Sequence, residues 1–300
     1  MEPIEVVIRR GTVVEARHRV HAVAVREGRV VARAGNPALV SYLRSSSKPI
    51  QALPLARARE DLDTRELAIA CASHRADPAQ LDAVRRLLAK APARERELEC
   101  GIQEGRPADP LHHNCSGKHA GMLALCRAHG WRSEGYRHEA HRVQRAMLAA
   151  HAEAAGVDRD AIPSAVDGCG VVTFALSLER TAVAFGRLLE LKGGGRIAAA
   201  MRAHPELIGG AGQTDTELMR AVPGWIAKGG AEGLMCAAAP DGLAVALKSE
   251  DGSSRPHRPA LASFLATLDI DLGSEFAIVA VRNAHGEPVG ELVATRVEPD

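Results

Sequence analysis

Arg44-Ser45-Ser46-Ser47-Lys48-Pro49-Ile50-Gln51, RSSSKPIQ, divides this 300-residue chain into two parts of different pattern. It also carries one of only six lysines, at positions 48, 90, 118, 192, 228 and 248, against 32 arginines. Arginine keeps its proton at any working pH, whereas a lysine gives its proton up when buried or crowded by other cations. A lysine in this chain is therefore a stronger candidate for proton transfer than usual. Ser45 and Lys48 are three apart, so they share a face if a helix begins here. Pro49 suits a first turn, and a helix N-terminus favours developing negative charge. This is the Ser-x-x-Lys arrangement, in which a neutral amine takes the serine proton and the oxygen attacks an acyl carbon. The same four letters also describe a capped helix entrance with a solvated lysine.

Before this stretch the chain reads as strands. IEVVIRR, TVVEARH, VHAVAVRE and RVVARAG are short β-branched runs within the first 35 residues, with a hairpin turn expected at Glu27-Gly28. After it the pattern is helical. LDTRELAIACAS offers Asp63 as a cap, and DPAQLDAVRRLLAKA offers Asp77 as a cap with Pro78 in the first turn. SGKHAGMLALCRAHG predicts a helix from Ser116 to Gly130. HEAHRVQRAMLAAHAEAAG and TFALSLERTAVAFGRLLELKGGG carry apolar residues at helical spacing. Strands return in GLMCAAAP, GLAVALKSED, EFAIVAV and GELVATRV, with one helix near 258–268. The expected fold is α+β and a single domain over 1–300. An antiparallel sheet is built from about 1–35 and 230–300, with a helical region of about 45–225 inserted.

The chain is 46% hydrophobic and 25% charged, ordinary values for a globular protein. A net charge of +1 and 3% aromatics argue against nucleic acid as a general partner. No apolar run is long enough to span a bilayer, and the start, MEPIEVVIRRG, lacks the apolar core of a signal peptide. A cytoplasmic protein that does not enter the membrane is expected. Six cysteines in such a chain do not suggest a disulfide framework.

Further candidates lie beyond the opening stretch. Ser73, in CASHRAD, and Lys248, late in the run LAVALKSEDG, are a second hydroxyl and a second amine. DPLHHNCSGKHAGM concentrates His112, His113, Cys115, Lys118 and His119. Ala165-Val166-Asp167-Gly168-Cys169-Gly170 sets another cysteine in a tight glycine turn. These residues suit a zinc-like ion, although the spacings match no standard finger. They also suit a Cys115 or Cys169 nucleophile with His119 as base, or a plain helix cap by Asn114 and Ser116.

RSSSKPIQALPL, CASH, HHNCSGKHAGML, DGCGVVTFAL, GAGQTDTELM, AKGGAEGL and ALKSEDG, in this order, resemble the rhizobial-type L-asparaginases, a zinc-containing family. The resemblance spans nearly the whole chain. It implies a fold similar to serine β-lactamases and penicillin-binding proteins. It implies two Ser–Lys pairs, Ser45 with Lys48 and Ser73 with Lys248. It implies zinc held by Cys115, Lys118 and Cys169, with Asp167 orienting the bound water or the substrate's amine and His119 beside it. The implied reaction is hydrolysis of L-asparagine to L-aspartate and ammonia, in a homodimer. Glutaminase, β-lactam or peptide hydrolysis, and a non-catalytic zinc-dependent amino-acid binder are the alternatives. Two positions depart from the family pattern. Val172 stands where proline is usual, and Gln213 stands where arginine is usual, which removes a bidentate charged contact.

Overall fold

The computed structural model describes residues 2–295. Its main sheet is antiparallel and has eight strands: β1 (Ile4–Arg10), β2 (Val13–Arg26), β3 (Arg29–Ala34), β7 (Ile226–Gly230), β8 (Leu234–Ala238), β9 (Ala244–Ser249), β10 (Ile278–Arg282) and β11 (Pro288–Ala294). The order is β10-β11-β1-β2-β9-β8-β7, with β3 also paired to β2. The two ends of the chain thus build one sheet, as the terminal β-branched runs require. Glu27 and Gly28 both take positive φ, 50° and 74°, and close the β2–β3 hairpin. The strand β7 is one edge of the sheet.

Among the described residues, twelve α-helices lie between residues 48 and 277: α1 (Lys48–Gln51), α2 (Leu53–Ala58), α3 (Thr64–Ala70), α4 (Pro78–Lys90), α5 (Ser116–His129), α6 (Arg142–Ala155), α7 (Leu178–Leu188), α8 (Gly194–Ala203), α9 (Pro205–Ile208), α10 (Thr214–Ala221), α11 (His257–Ala266) and α12 (Ser274–Ala277). The expected caps are present. Asp63 and Glu66 form a capping box on α3, Asp77 caps α4 with Pro78 in its first turn, and Gly130 ends α5 in the left-handed region. The helix α7 packs on β2, β8 and β9, so the central strands are covered and read as apolar runs.

The middle is not wholly helical. β4 (Val40–Tyr42), β5 (Ser164–Val166) and β6 (Val172–Ser177) form a second, three-stranded sheet in the order β4-β6-β5. TFALS, read as the start of a helix, is strand because Ser177 caps α7 and stops the helical run there. Short buried runs of this kind carry no period that separates strand from helix. β7 was not among the expected strands; it ends in Gly229 and Gly230, residues that weaken a strand pattern. Val172 is the first residue of β6, opposite Val166, a strand position that also tolerates the proline usual in the family.

Candidate active site

A cavity of about 910 Å³ opens where the edge strand β7 meets the turn before α1, and both Ser45 and Ser73 line it. Its other walls are the loop before α10, the start of α11 and Val279 of β10. Gly230 permits the close approach of β7. A Cβ there would lie 2.9 Å from the Leu43 carbonyl oxygen and 3.1 Å from the Ser46 amide.

The turn at 44–47 explains the three serines. Leaving β4, the chain passes through Arg44 at φ 49° and makes one 3₁₀ turn before α1. Ser46 Oγ donates to the Leu43 carbonyl (2.7 Å), and Ser47 Oγ donates to the Arg44 carbonyl (2.9 Å). Those two hydroxyls hold the turn, and only the Ser45 side chain faces the cavity. Arg44 Nε donates to Asp167 Oδ1 (2.5 Å), which ties this turn to the Asp167–Gly170 loop.

Lys48 is fully buried, with Pro49 following it in the first turn of α1. Its Nζ lies 2.6 Å from the Ala72 carbonyl oxygen and 2.9 Å from Ser73 Oγ. Burial pushes its pKa down, and the cations Lys118 and Lys228 push the same way, against the Cys115 and Cys169 thiols. The expected Ser45–Lys48 bond is absent among the described residues, and Lys48 pairs with Ser73 instead. The reason is backbone direction: Lys48 reaches across to the end of α3, where Ser73 N donates to the Ile208 carbonyl (2.8 Å). His74 fixes the same loop. Its Nδ1 accepts from Ala76 N (3.1 Å), leaving Nε2 to donate to Ser116 Oγ (2.8 Å).

Lys248 does not line the cavity. It sits on β9, two strands in from the edge, and its Nζ donates to the Ser249 carbonyl (2.6 Å). Two strand spacings put it about 10 Å behind the edge. The lysine that lines the cavity, among the described residues, is Lys228 on β7, only 1% exposed. Its Nζ pairs with Asp215 Oδ2 (3.2 Å) and donates to the Gly229 carbonyl (2.8 Å). Asp215 also accepts from Thr216 N (2.8 Å) and Gly229 N (3.2 Å). The sequence reading gave neither Lys228 nor Asp215 a role; the scarcity of lysine and the quoted segments AKGGAEGL and GAGQTDTELM that contain them are the signals that could have found them.

Behind Lys48 lies the cysteine cluster. Cys115, Lys118 and Cys169 are all at least 95% buried, and Lys118 Nζ lies 3.1 Å from Cys169 Sγ. A hydrogen bond from Cys169 holds the Cys115 thiol well below its usual range, helped by Lys48 and Lys118, while the Cys169 thiol is pushed up. Burial opposes the charge on Lys118, and Cys169, Cys115 and Asp167 sustain it nonetheless. Among the described residues, no three His, Cys, Asp or Glu side chains converge as a metal cage. The trio here is two thiols and one amine. A separation of 3.1 Å between amine and thiol suits two donors to one ion, given zinc bonds of about 2.0–2.3 Å. His119 is buried beside the cluster, with Nδ1 2.7 Å from Tyr136 Oη and Nε2 unpartnered. Neither cysteine nor His119 lines the cavity, which removes the support for a cysteine nucleophile. Gln213 does line it and is exposed.

Residues 6–294 match the family described as L-asparaginase II. The chain belongs to the L-asparaginase II family. It is thereby an amidohydrolase of the L-asparaginase kind, acting on a small molecule. No curated protein matches the sequence. Among solved structures, this L-asparaginase II family member is similar to Mglu in its native form. The identity is 15% and the TM-score 0.49, over 89% of this chain and 69% of that one. It is also similar to a beta-lactamase from Mycobacterium bovis, at 12% identity and a TM-score of 0.36, over 78% of this chain and 88% of that one. No described helix is long and apolar enough to cross a membrane.

Proposed function

We propose that this protein hydrolyses the side-chain amide of L-asparagine through a serine ester, with Lys48 as the base. One observation carries the reading: a fully buried amine, Lys48 Nζ, is 2.9 Å from Ser73 Oγ on the wall of an open cavity. Burial favours the neutral amine, whose lone pair accepts the Ser73 proton while one N–H donates to the Ala72 carbonyl. Ser73 Oγ then bonds to the amide carbon. The C–N bond breaks, and the nitrogen leaves as ammonia with the proton from Lys48. Water, losing a proton to Lys48, cleaves the ester and frees L-aspartate. The nucleophile in this reading is Ser73, where the family resemblance favoured Ser45. Ser45 supplies a second hydroxyl facing the same space.

Lys228 is the second amine in this region. It is paired with the buried Asp215 carboxylate, and it bears on Lys48 as a like charge. Arg75 and Arg106 flank Ser73 and face the substrate carboxylate. Cys115, Lys118 and Cys169 would hold zinc, with Asp167 and His119 beside it. Bound there, the ion supplies positive charge that keeps both thiols deprotonated and braces the wall behind Lys48. The family resemblance implies a homodimer, which light scattering checks.

Ammonia release from L-asparagine, with and without a chelator, tests the reading. Trapping the ester and mapping it by mass spectrometry identifies the serine. An adduct on Ser45 would overturn the Ser73 assignment. Faster release from glutamine or opening of a chromogenic lactam would move the substrate class. Stabilisation by asparagine without ammonia would make the protein a binder, the reading that Gln213 keeps in play.

A further inference from the structure

His74 follows Ser73 in the chain, is wholly buried, and has a partner for every polar atom it carries. Its backbone N donates to the Asn114 carbonyl (3.2 Å), and its own carbonyl accepts from Arg106 Nη1 (3.2 Å). Its ring Nδ1 accepts from Ala76 N, and its Nε2 donates to Ser116 Oγ. Burial lowers the ring pKa to about 3, so the imidazole is neutral and has one donor and one acceptor to give. Both are used. Other buried histidines are held less fully: among the described residues, Nε2 of His119, His151 and His257 has no partner.

Two of the four partners belong to one place. Asn114 and Ser116 bracket Cys115 at the start of α5, and Lys118 lies two residues further on. The same helix meets α3, which ends shortly before Ser73, at backbone distance. A Cβ on Gly117 would strike the Ile69 carbonyl, and one on Gly121 would lie 3.3 Å from Ala70 Cβ. The helix that carries two members of the cysteine cluster thus packs against the segment that carries the serine, and the His74 side chain bridges them. We infer that His74 is a positioning residue: through Ser116 it ties the placement of Ser73 beside Lys48 to the state of the Cys115–Lys118–Cys169 cluster. This rests on the reading of Ser73 as nucleophile. With Cys115 and Lys118 committed to one ion, the first turn of α5 is fixed, and the Ser116 hydroxyl with it. The imidazole passes that constraint to the backbone next to Ser73, whose oxygen lies 2.9 Å from the Lys48 amine. A displacement of about 1 Å at such a site is enough to cost about 10²-fold in rate. Both ring nitrogens are spent, so His74 is a brace and takes no part in proton transfer.

The test uses the whole protein and three single variants. His74→Asn keeps an acceptor for the Ala76 amide and is too short to reach Ser116. His74→Gln keeps a donor for Ser116, and Ser116→Ala removes the acceptor. Per mole of folded protein, His74→Asn and Ser116→Ala should each lower kcat for ammonia release from L-asparagine about tenfold or more, with KM within about twofold. His74→Gln should recover most of that loss. The double variant of His74→Asn with Ser116→Ala should be no slower than the slower single one, since both cut the same link. Zinc affinity, measured without substrate by competition with a chelating dye, should weaken about tenfold in His74→Asn and in Ser116→Ala. The inference is overturned by kcat losses that add in the double variant, by a rise in KM in place of the fall in kcat, by a His74→Gln no better than His74→Asn, or by unchanged zinc affinity. If His74→Asn does not fold, Ser116→Ala decides alone, and parental kcat or zinc affinity in it overturns the inference. A parent that releases no ammonia overturns the amidase reading instead, and the zinc measurement then still tests the link through His74.

Discussion

Replacing Asp215 by Asn removes one charge from a pair whose side chains are 6% and 1% exposed and 3.2 Å apart. The isosteric amide keeps the shape and leaves Lys228 as a buried cation. Breaking a buried pair from one side costs about 3–5 kcal/mol. The partners left behind are unequal. Without Lys228, Asp215 keeps the amides of Thr216 and Gly229, whereas without Asp215, Lys228 keeps only the Gly229 carbonyl. Asp215→Asn should therefore be less stable than Lys228→Met. The double variant, which buries no charge, should recover at least half of the Asp215→Asn loss. Urea unfolding monitored by circular dichroism measures all three, against a total stability of about 5–15 kcal/mol. A loss below about 1 kcal/mol for Asp215→Asn would refute the reasoning, as would a double variant no more stable than the single one.

Lys48→Met should keep the far-ultraviolet spectrum and lower ammonia release by about 10²-fold or more, the usual contribution of a positioned base; near-normal kcat would remove Lys48 from the mechanism. In the parent, burial lowers the Lys48 pKa, so the rate should fall as pH drops through that folded value and the amine takes up a proton. Lys248→Met should leave kcat within about threefold, because that side chain is spent on the Ser249 carbonyl behind the edge strands; loss comparable to Lys48→Met would restore it to the site. Burial lowers His151 and His257 to about 4 from an ordinary 6.5. Folding therefore excludes protons that the unfolded chain binds. Their contribution is complete above pH 6.5 and is lost as pH falls towards 4, at about 1.4 kcal/mol per unit for each. The melting temperature should fall steeply over that window, and a flat profile would contradict the assignment. Gly230→Ala pushes a methyl group onto the Leu43 carbonyl and should cost about 1–3 kcal/mol; unchanged ammonia release would show that β7 tolerates being moved.

The terminal strands, the caps at Asp63 and Asp77 and the end of α5 at Gly130 were legible because each rests on local chemistry: β-branching, a short side-chain acceptor, a positive φ. The pairing of serines with lysines was not. Lys228 and Lys248 both lie on strands, and only the order β9-β8-β7 decides which of them faces the cavity. That order comes from long-range pairing that no window of residues contains. Arg44 was quoted in the opening stretch without a role, since its partner Asp167 lies 123 residues away.

The seam between β1 and β11, with Val6 opposite Ala294, has a consequence for how the protein is made. While the ribosome is still adding the last strands, IEVVIRR offers an open backbone edge with nothing to cover it. Closing that edge means bringing together segments separated by almost the full contour of the polypeptide, which is entropically slow. Nascent or refolding chains are thus exposed to clumping until β11 pairs with β1, and recovery from denaturant should improve on dilution or when a holding chaperone shields β1.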